Sequence, residues 1–161
     1  MSNKLKGMIW LRGQETLANK SILLQVLMPV FFVFLYKFIF SLNGAGKELG
    51  ADRLAILLMN ISLPFSLAMS VGTPIIIILA EEREKRNLQS LRLAGVTAGQ
   101  YILSALIWPA IIGIFYIAIT PLLVGAKLSN QVFSYGLVLL LTLLVLIFFF
   151  LMVGLLCKNQ V

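Results

Sequence analysis

Residues 132–156 read VFSYGLVLLLTLLVLIFFFLMVGLL, a run of 25 positions without a charged side chain. At about 1.5 Å per residue, a helix of this length can cross the ~30 Å hydrocarbon core of a bilayer. The run lacks the alternation of apolar and polar residues that a membrane β-strand shows. Because a chain in lipid must satisfy its own backbone hydrogen bonds, this stretch predicts a transmembrane helix.

Three further apolar stretches predict three more membrane spans, so the fold class is an all-α integral membrane protein. The predicted spans are span one at 21–40, span two at 54–80, span three at 101–120 and span four at 132–156. Residues 1–20 mix apolar and charged side chains and are predicted to form an interfacial helix on the bilayer surface. A cytoplasmic coupling segment is predicted at 81–100. Together, residues 1–161 form a single transmembrane domain.

Prolines divide or end two of the predicted spans. Pro64 and Pro74 are expected to interrupt span two, because proline removes a backbone hydrogen bond. Pro121 and Gly125 are expected to end span three.

The composition excludes several functional classes. Hydrophobic residues make up 60% and charged residues 12% of the chain, whereas soluble domains have roughly a quarter charged residues. The chain has no histidine, and its single cysteine is Cys157, so no disulfide framework, metal site or bound cofactor is expected. The basic residues lie mostly between the apolar runs, so the expected partner is the lipid bilayer and not nucleic acid.

The distribution of basic residues predicts the orientation in a plasma membrane. Four basic residues lie on one predicted side, namely Lys37, Lys47, Arg53 and Lys127. Nine lie on the other side, namely Lys4, Lys6, Arg12, Lys20, Arg83, Lys85, Arg86, Arg92 and Lys158. Because cytoplasmic loops carry an excess of Lys and Arg, both termini and residues 81–100 are predicted to be cytoplasmic.

The cytoplasmic segment has the features of a small structured element. Glu81 and Lys85 are spaced i,i+4 in the orientation that supports a helix, so span two is expected to continue past the membrane surface. Gly95 suits a helix end, and Thr97 followed by Gln100 forms a capping box that starts a new helix. The sequence therefore predicts a short amphipathic helix between spans two and three.

Six residues of this segment match a family pattern, E-x-E-[KR]-x-[NGT]-L-x-x-L. They are Glu82, Glu84, Lys85, Asn87, Leu88 and Leu91. In this segment the chain resembles the membrane subunits of ABC exporters of the type-2 permease class. The resemblance implies a permease subunit without a catalytic or nucleotide-binding motif, which moves its substrate with ATP hydrolysed by a separate ATPase subunit that binds the ATP and Mg²⁺. It also implies a second permease copy or paralogue.

The resemblance assigns the ATPase contact to the coupling segment. The implied contact residues are Glu81, Glu82, Glu84, Lys85, Asn87, Leu88, Leu91 and Arg92. Permeases of this class usually have six spans, whereas four are predicted here. Truncation of the chain is therefore an open alternative. Two alternatives also remain: a small membrane-resident immunity or regulatory protein without transport activity, and a non-functional truncated permease.

Small and mildly polar residues recur along span two. Ser62, Ser66 and Ser70 are spaced every four residues and so share one helix face, with Gly72 beside them. Small residues at this spacing favour close helix packing in membranes. A substrate pathway along the same face is the alternative, and both interpretations are compatible.

Overall fold

The computed structural model describes residues 3–44, 49–84, 93, 95–128 and 131–156. Regular structure in these ranges is helical, and no strand occurs among them. The elements in chain order are α1 (Asn3–Ala18), α2 (Lys20–Leu42), α3 (Ala51–Leu67), the π-helical segment π1 (Ala68–Gly72), α4 (Thr73–Glu84), α5 (Ala98–Val124) and α6 (Val132–Leu156).

Four helical stretches in the described part of the chain are long and apolar enough to cross a membrane. Span one is α2, span two is the continuous stretch α3–π1–α4 from Ala51 to Glu81, span three is α5 and span four is α6. Each of these stretches contains the range predicted for its span. The predicted all-α membrane fold with four spans is therefore confirmed.

The expectation that Pro121 ends span three is wrong. Helix α5 continues through Pro121 to Val124, and Gly125 ends it in the left-handed conformation at φ +80°. The backbone N–H of Gly125 donates to the carbonyl of Pro121 at 3.0 Å, and that of Ala126 donates to the same oxygen at 2.9 Å. A proline costs a helix only one donated hydrogen bond and a local clash, which packing on both sides can offset.

The expectation that Pro64 and Pro74 interrupt span two is wrong, because the span remains helical through both prolines, with one irregular turn. Pro64 lies inside α3, and π1 occupies the turn directly before Pro74. The backbone N–H of Thr73 reaches back to the carbonyl of Ala68, which is the i→i−5 bonding of a π-helix. In a regular α-helix the ring of Pro74 would clash with the carbonyl of Ser70, and the wider turn relieves that clash.

Span two is the most buried of the four spans. In its most apolar stretch 61% of the residues are buried within the protein, compared with 33% for α5, 17% for α2 and 11% for α6. Leu67, Val71, Ile75 and Leu79 recur every four residues and form one core cluster with residues of α5 and α6. Span two therefore lies at the centre of the bundle.

Smaller clusters close the two ends of the bundle. At one end Ile22 of α2 packs with Ile78 of α4 and Ala105 of α5. At the other end Val33, Leu58 and Val124 pack together from α2, α3 and α5. The four spans consequently run antiparallel in sequence order, and the start of α2, the end of α4 and the start of α5 share the end that α1 also covers.

Candidate functional site

The predicted coupling segment follows α4 at the end of the bundle that α1 covers. Glu82 and Glu84 lie in α4, and of the predicted contact residues the structure describes the side chain of Glu81 alone. The others, Lys85, Asn87, Leu88, Leu91 and Arg92, lie outside the described residues. The contact between this segment and an ATPase stays a prediction.

The predicted start of span three is present as an N-terminal cap on α5. The backbone N–H of Gln100 donates to Thr97 Oγ1 at 3.3 Å, and the backbone N–H of Thr97 donates to Gln100 Oε1 at 3.2 Å. Gly95, two residues earlier, has a φ of +72° that favours glycine. This reciprocal cap fixes where the chain re-enters the bundle after the coupling segment.

Asn19 connects three helices at the end of span two. Its Oδ1 accepts hydrogen bonds from the backbone N–H groups of Ser21 at 3.0 Å and Ile22 at 3.4 Å, which caps the start of α2. Its Nδ2 donates to Oε1 of Glu81 on α4 at 2.9 Å. Because Asn19 is the single residue between α1 and α2, this side chain ties both helices to the residue where the coupling segment begins.

Arg12 on α1 is a buried charge at the same end of the bundle, with only 6% of its surface exposed. Its Nη1 forms an ion pair with Oε2 of Glu15 at 2.7 Å, and its guanidinium carbon lies 5.9 Å from the centre of the Tyr101 ring on α5. Burying a cation is costly unless anions and polarisable groups surround it. We call Arg12, Glu15, Asn19 and Glu81 the basal junction.

Helix α1 is also held against α5 by a second, less polar contact. Trp108 Nε1 donates to the backbone carbonyl of Ile9 at 2.8 Å. The Trp108 ring covers Gly13 so closely that a Cβ added at Gly13 would lie 2.7 Å from Cζ2. The two helices therefore approach closely at Gly13, and a side chain larger than hydrogen there would collide with the Trp108 ring.

A cavity of about 320 Å³ opens beside the basal junction. All four residues of the junction line it, together with the apolar side chains of Ile22 and Ile78. Two carboxylates, one guanidinium and one amide therefore converge where α1, α2 and α4 meet. The hydrogen bond from Asn19 to the Glu81 carboxylate links these helices, and the ion pair of Arg12 with Glu15 lies within α1.

The small-residue face of span two lies inside the bundle. Ser62, Ser66 and Ser70 are at most 4% exposed, and a Cβ added at Gly72 would collide with the ring of Phe150 on α6. Ser62 Oγ donates to the carbonyl of Leu58 at 2.7 Å, and Ser70 Oγ donates to the carbonyl of Ser66. These contacts support close helix packing, and a pathway along this face stays a prediction.

Asn19, Gly13 and Trp108 were not predicted from the sequence as residues of this end of the bundle. Asn19 carries a usable signal, because an Asn directly before an apolar run is a preferred helix cap. Its second hydrogen bond, to a residue 62 positions away, has no local signal. Neither does the contact of Gly13 with Trp108, which depends on how α1 packs on α5.

Comparison with known proteins identifies the family. Residues 47–161, more than half of the chain, match the family described as "ABC-2 family transporter protein". No match was found among curated proteins or among solved structures. The matched range includes spans two, three and four and the predicted coupling segment. The chain therefore belongs to the ABC-2 transporter family and is a multi-pass membrane permease domain of an ABC system.

Proposed function

We propose that this chain is the permease subunit of an ABC exporter and that residues 81–94 contact a separate ATPase subunit. The observation that carries the proposal is the hydrogen bond between Asn19 and Glu81. It ties the start of the coupling segment to α1 and α2, in a chain whose family works with ABC ATPases. A displacement of the coupling segment would then move span two, α1 and α2 together.

Rigid connections on both sides of the coupling segment support this role. On one side α4 continues span two as far as Glu84. On the other side the cap at Thr97 and Gln100 starts span three. Two helices that are fixed at a short segment transmit its motion, because packed helices shift as rigid bodies. Span two then delivers the motion to the bundle centre.

The remaining parts of the proposal rest on the family of the chain and on the distribution of its basic residues. ATP and Mg²⁺ are bound by the partner subunit, so the hydrolytic chemistry lies outside this chain. The excess of basic residues supports a cytoplasmic location for both termini and the coupling segment of a plasma-membrane protein. A second permease copy or a paralogue completes the assembly, and the substrate moves outward.

The test is photo-crosslinking in native cells with p-benzoylphenylalanine in place of Leu88. We expect a crosslink to an ABC ATPase, because Leu88 is among the residues that the family resemblance assigns to the ATPase contact. The matched control carries the same photoreactive residue in place of Leu49, which is at the opposite end of the bundle and 39% exposed. Crosslinks from position 88 that contain no ATPase, with the chain intact in the membrane, would contradict the proposal.

A further inference from the structure

A crevice opens between α3 and α6 at the end of the bundle away from α1. Helix α6 packs on α4, π1 and α5, and it diverges from the outer half of span two. The gap between α3 and α6 has a volume of about 460 Å³. Leu128 and Gln131, on the connection before α6, close it at the end. Because α3 and α6 are both parts of membrane spans, the crevice faces the bilayer laterally.

The wall of this crevice carries polar groups from two membrane spans. Asn60 on α3 and Ser134 on α6 both line it, and both residues are exposed. The Asn60 side chain forms no hydrogen bond within the described part of the chain. Asn60 follows Leu58 of the cluster that closes this end of the bundle by two residues, and Ser134 is the third residue of α6. Both polar groups therefore lie near one end of their spans, where the Asn60 amide has donors and an acceptor to offer an occupant.

The backbone carbonyl of Asn60 adds a hydrogen-bond acceptor at this position. Pro64 lies inside α3 and has no N–H, so the carbonyl of Asn60 lacks its usual helical donor four residues later. Tyr135, also in the wall, donates its hydroxyl to the carbonyl of Ile117 at 2.9 Å. Its oxygen can still accept a hydrogen bond. The crevice therefore offers both donors and acceptors to a bound molecule.

The remaining wall is apolar and without permanent charge. Leu63 on α3 and Leu139 on α6 are examples of its apolar residues, and among the residues that the structure describes the lining contains no Asp, Glu, Lys or Arg. A charged headgroup would find no counter-charge there. The volume is also small for a helix of another chain: a cylinder about 10 Å across fills it within roughly one turn. Volume, polarity and lateral opening together suit a headgroup with the first part of its hydrocarbon chain.

We infer that this crevice binds a neutral amphipathic lipid. Its hydroxyl- or amide-bearing headgroup bonds to Asn60 and Ser134, and its hydrocarbon chain lies along Leu63 and Leu139 toward the bilayer. This binding is a property of the chain itself and does not depend on the proposed coupling to an ATPase.

The test uses the purified chain in phosphatidylcholine vesicles that contain a trace of diazirine-bearing diacylglycerol, without nucleotide or ATPase. After irradiation, mass spectrometry of peptides locates the label. We expect the label to concentrate at residues 59–63 and 134–139. Loss of one membrane-embedded hydrogen bond in Asn60→Leu should lower this labelling about fivefold. Asn60→Gln, which keeps the amide, should restore most of it.

A matched control and a second variant keep the result interpretable. Thr142 on α6 is exposed and bonds only within its own helix, to the carbonyl of Val138 at 2.9 Å, so Thr142→Val should label as the wild type does. If Asn60 and Ser134 bind the same headgroup, Ser134→Ala should lower the labelling as Asn60→Leu does.

Four results would overturn the inference. The first is label spread evenly along the exposed faces of α2 and α6, and the second is unchanged labelling in both Asn60→Leu and Ser134→Ala. The third is equal labelling by diazirine-bearing phosphatidic acid, because a charged headgroup is not expected to enter. Efficient disulfide dimers of Asn60→Cys in a Cys157→Ala background would count against it too, since they identify a second copy as the occupant.

Discussion

Span two and span four are both long apolar helices, but they occupy different environments. Span two buries 61% of its most apolar stretch within the protein, and α6 buries 11%. Helix α6 is the more apolar of the two, with Phe148, Phe149 and Val145 exposed, whereas span two carries three buried serines. In lipid the most apolar helix gains nothing from burial, so packing selects the helix with small residues for the centre.

The largest expected difference between the two spans concerns glycine. A Cβ at Gly72 in π1 would collide with the Phe150 ring, whereas a Cβ at Gly136 on α6 would meet no atom within 4 Å. We expect Gly72→Leu to lower the free energy of unfolding by about 3 kcal/mol through overpacking. Gly136→Leu should leave it unchanged or raise it by up to about 0.8 kcal/mol through helix propensity.

Titration with SDS in mixed micelles, followed by circular dichroism, measures both glycine variants under the same conditions. Equal losses of stability in the two variants would contradict the contact between π1 and α6 and, with it, the central position of span two.

An intermediate effect is expected where span two joins α1 and α2. Asn19→Ala removes both the cap of α2 and the hydrogen bond to Glu81, so we expect a loss of about 1.5 kcal/mol in the free energy of unfolding. Asn19→Ser keeps a capping oxygen and should recover about half of that loss. Thr142→Val on α6 is the matched control and should cost at most about 0.5 kcal/mol.

A double-mutant cycle of Asn19→Ala with Glu81→Ala separates the bond from the cap. We expect a coupling energy clearly above zero between Asn19 and Glu81. Strict additivity of the two losses in the free energy of unfolding would show that the Asn19–Glu81 hydrogen bond contributes nothing to stability.

The smallest expected effect distinguishes two serines on the buried face of span two. Ser66 Oγ is buried without a hydrogen-bond partner, so Ser66→Ala removes an unsatisfied group and should be neutral or stabilise by up to about 0.5 kcal/mol. Ser62 Oγ bonds to the carbonyl of Leu58, and Ser62→Ala should cost about 0.6 kcal/mol. Thermal unfolding midpoints measured side by side show which of the two variants is the more stable. A Ser62→Ala variant more stable than Ser66→Ala would contradict the described hydrogen bonding.

The spans could be predicted because hydropathy and length act locally along the chain. The four apolar runs are each long enough to cross the ~30 Å hydrocarbon core, and the cap at Thr97 and Gln100 is a pattern within four residues. The serine spacing on span two also indicated a packing face before any contact was known.

The contacts between helices could not be predicted, because they depend on how the spans rotate and tilt. No local pattern places Asn19 beside Glu81 or brings Asn60 and Ser134 into one crevice. The uninterrupted path of α5 through Pro121 likewise depends on its surroundings, since the local rule for proline favours an end there. Polar residues inside apolar runs, such as Asn60, are the one signal that could have drawn attention to the crevice.

The most direct test of the account is affinity purification of the chain from native membranes in mild detergent, with mass spectrometry of the proteins that come with it. The account predicts that an ABC ATPase is recovered with the wild type and lost with the Leu88→Asp, Leu91→Asp double variant. Leu49→Asp, the same change at the opposite end, should retain it. An intact wild-type chain recovered without any ABC ATPase would contradict the proposed permease function.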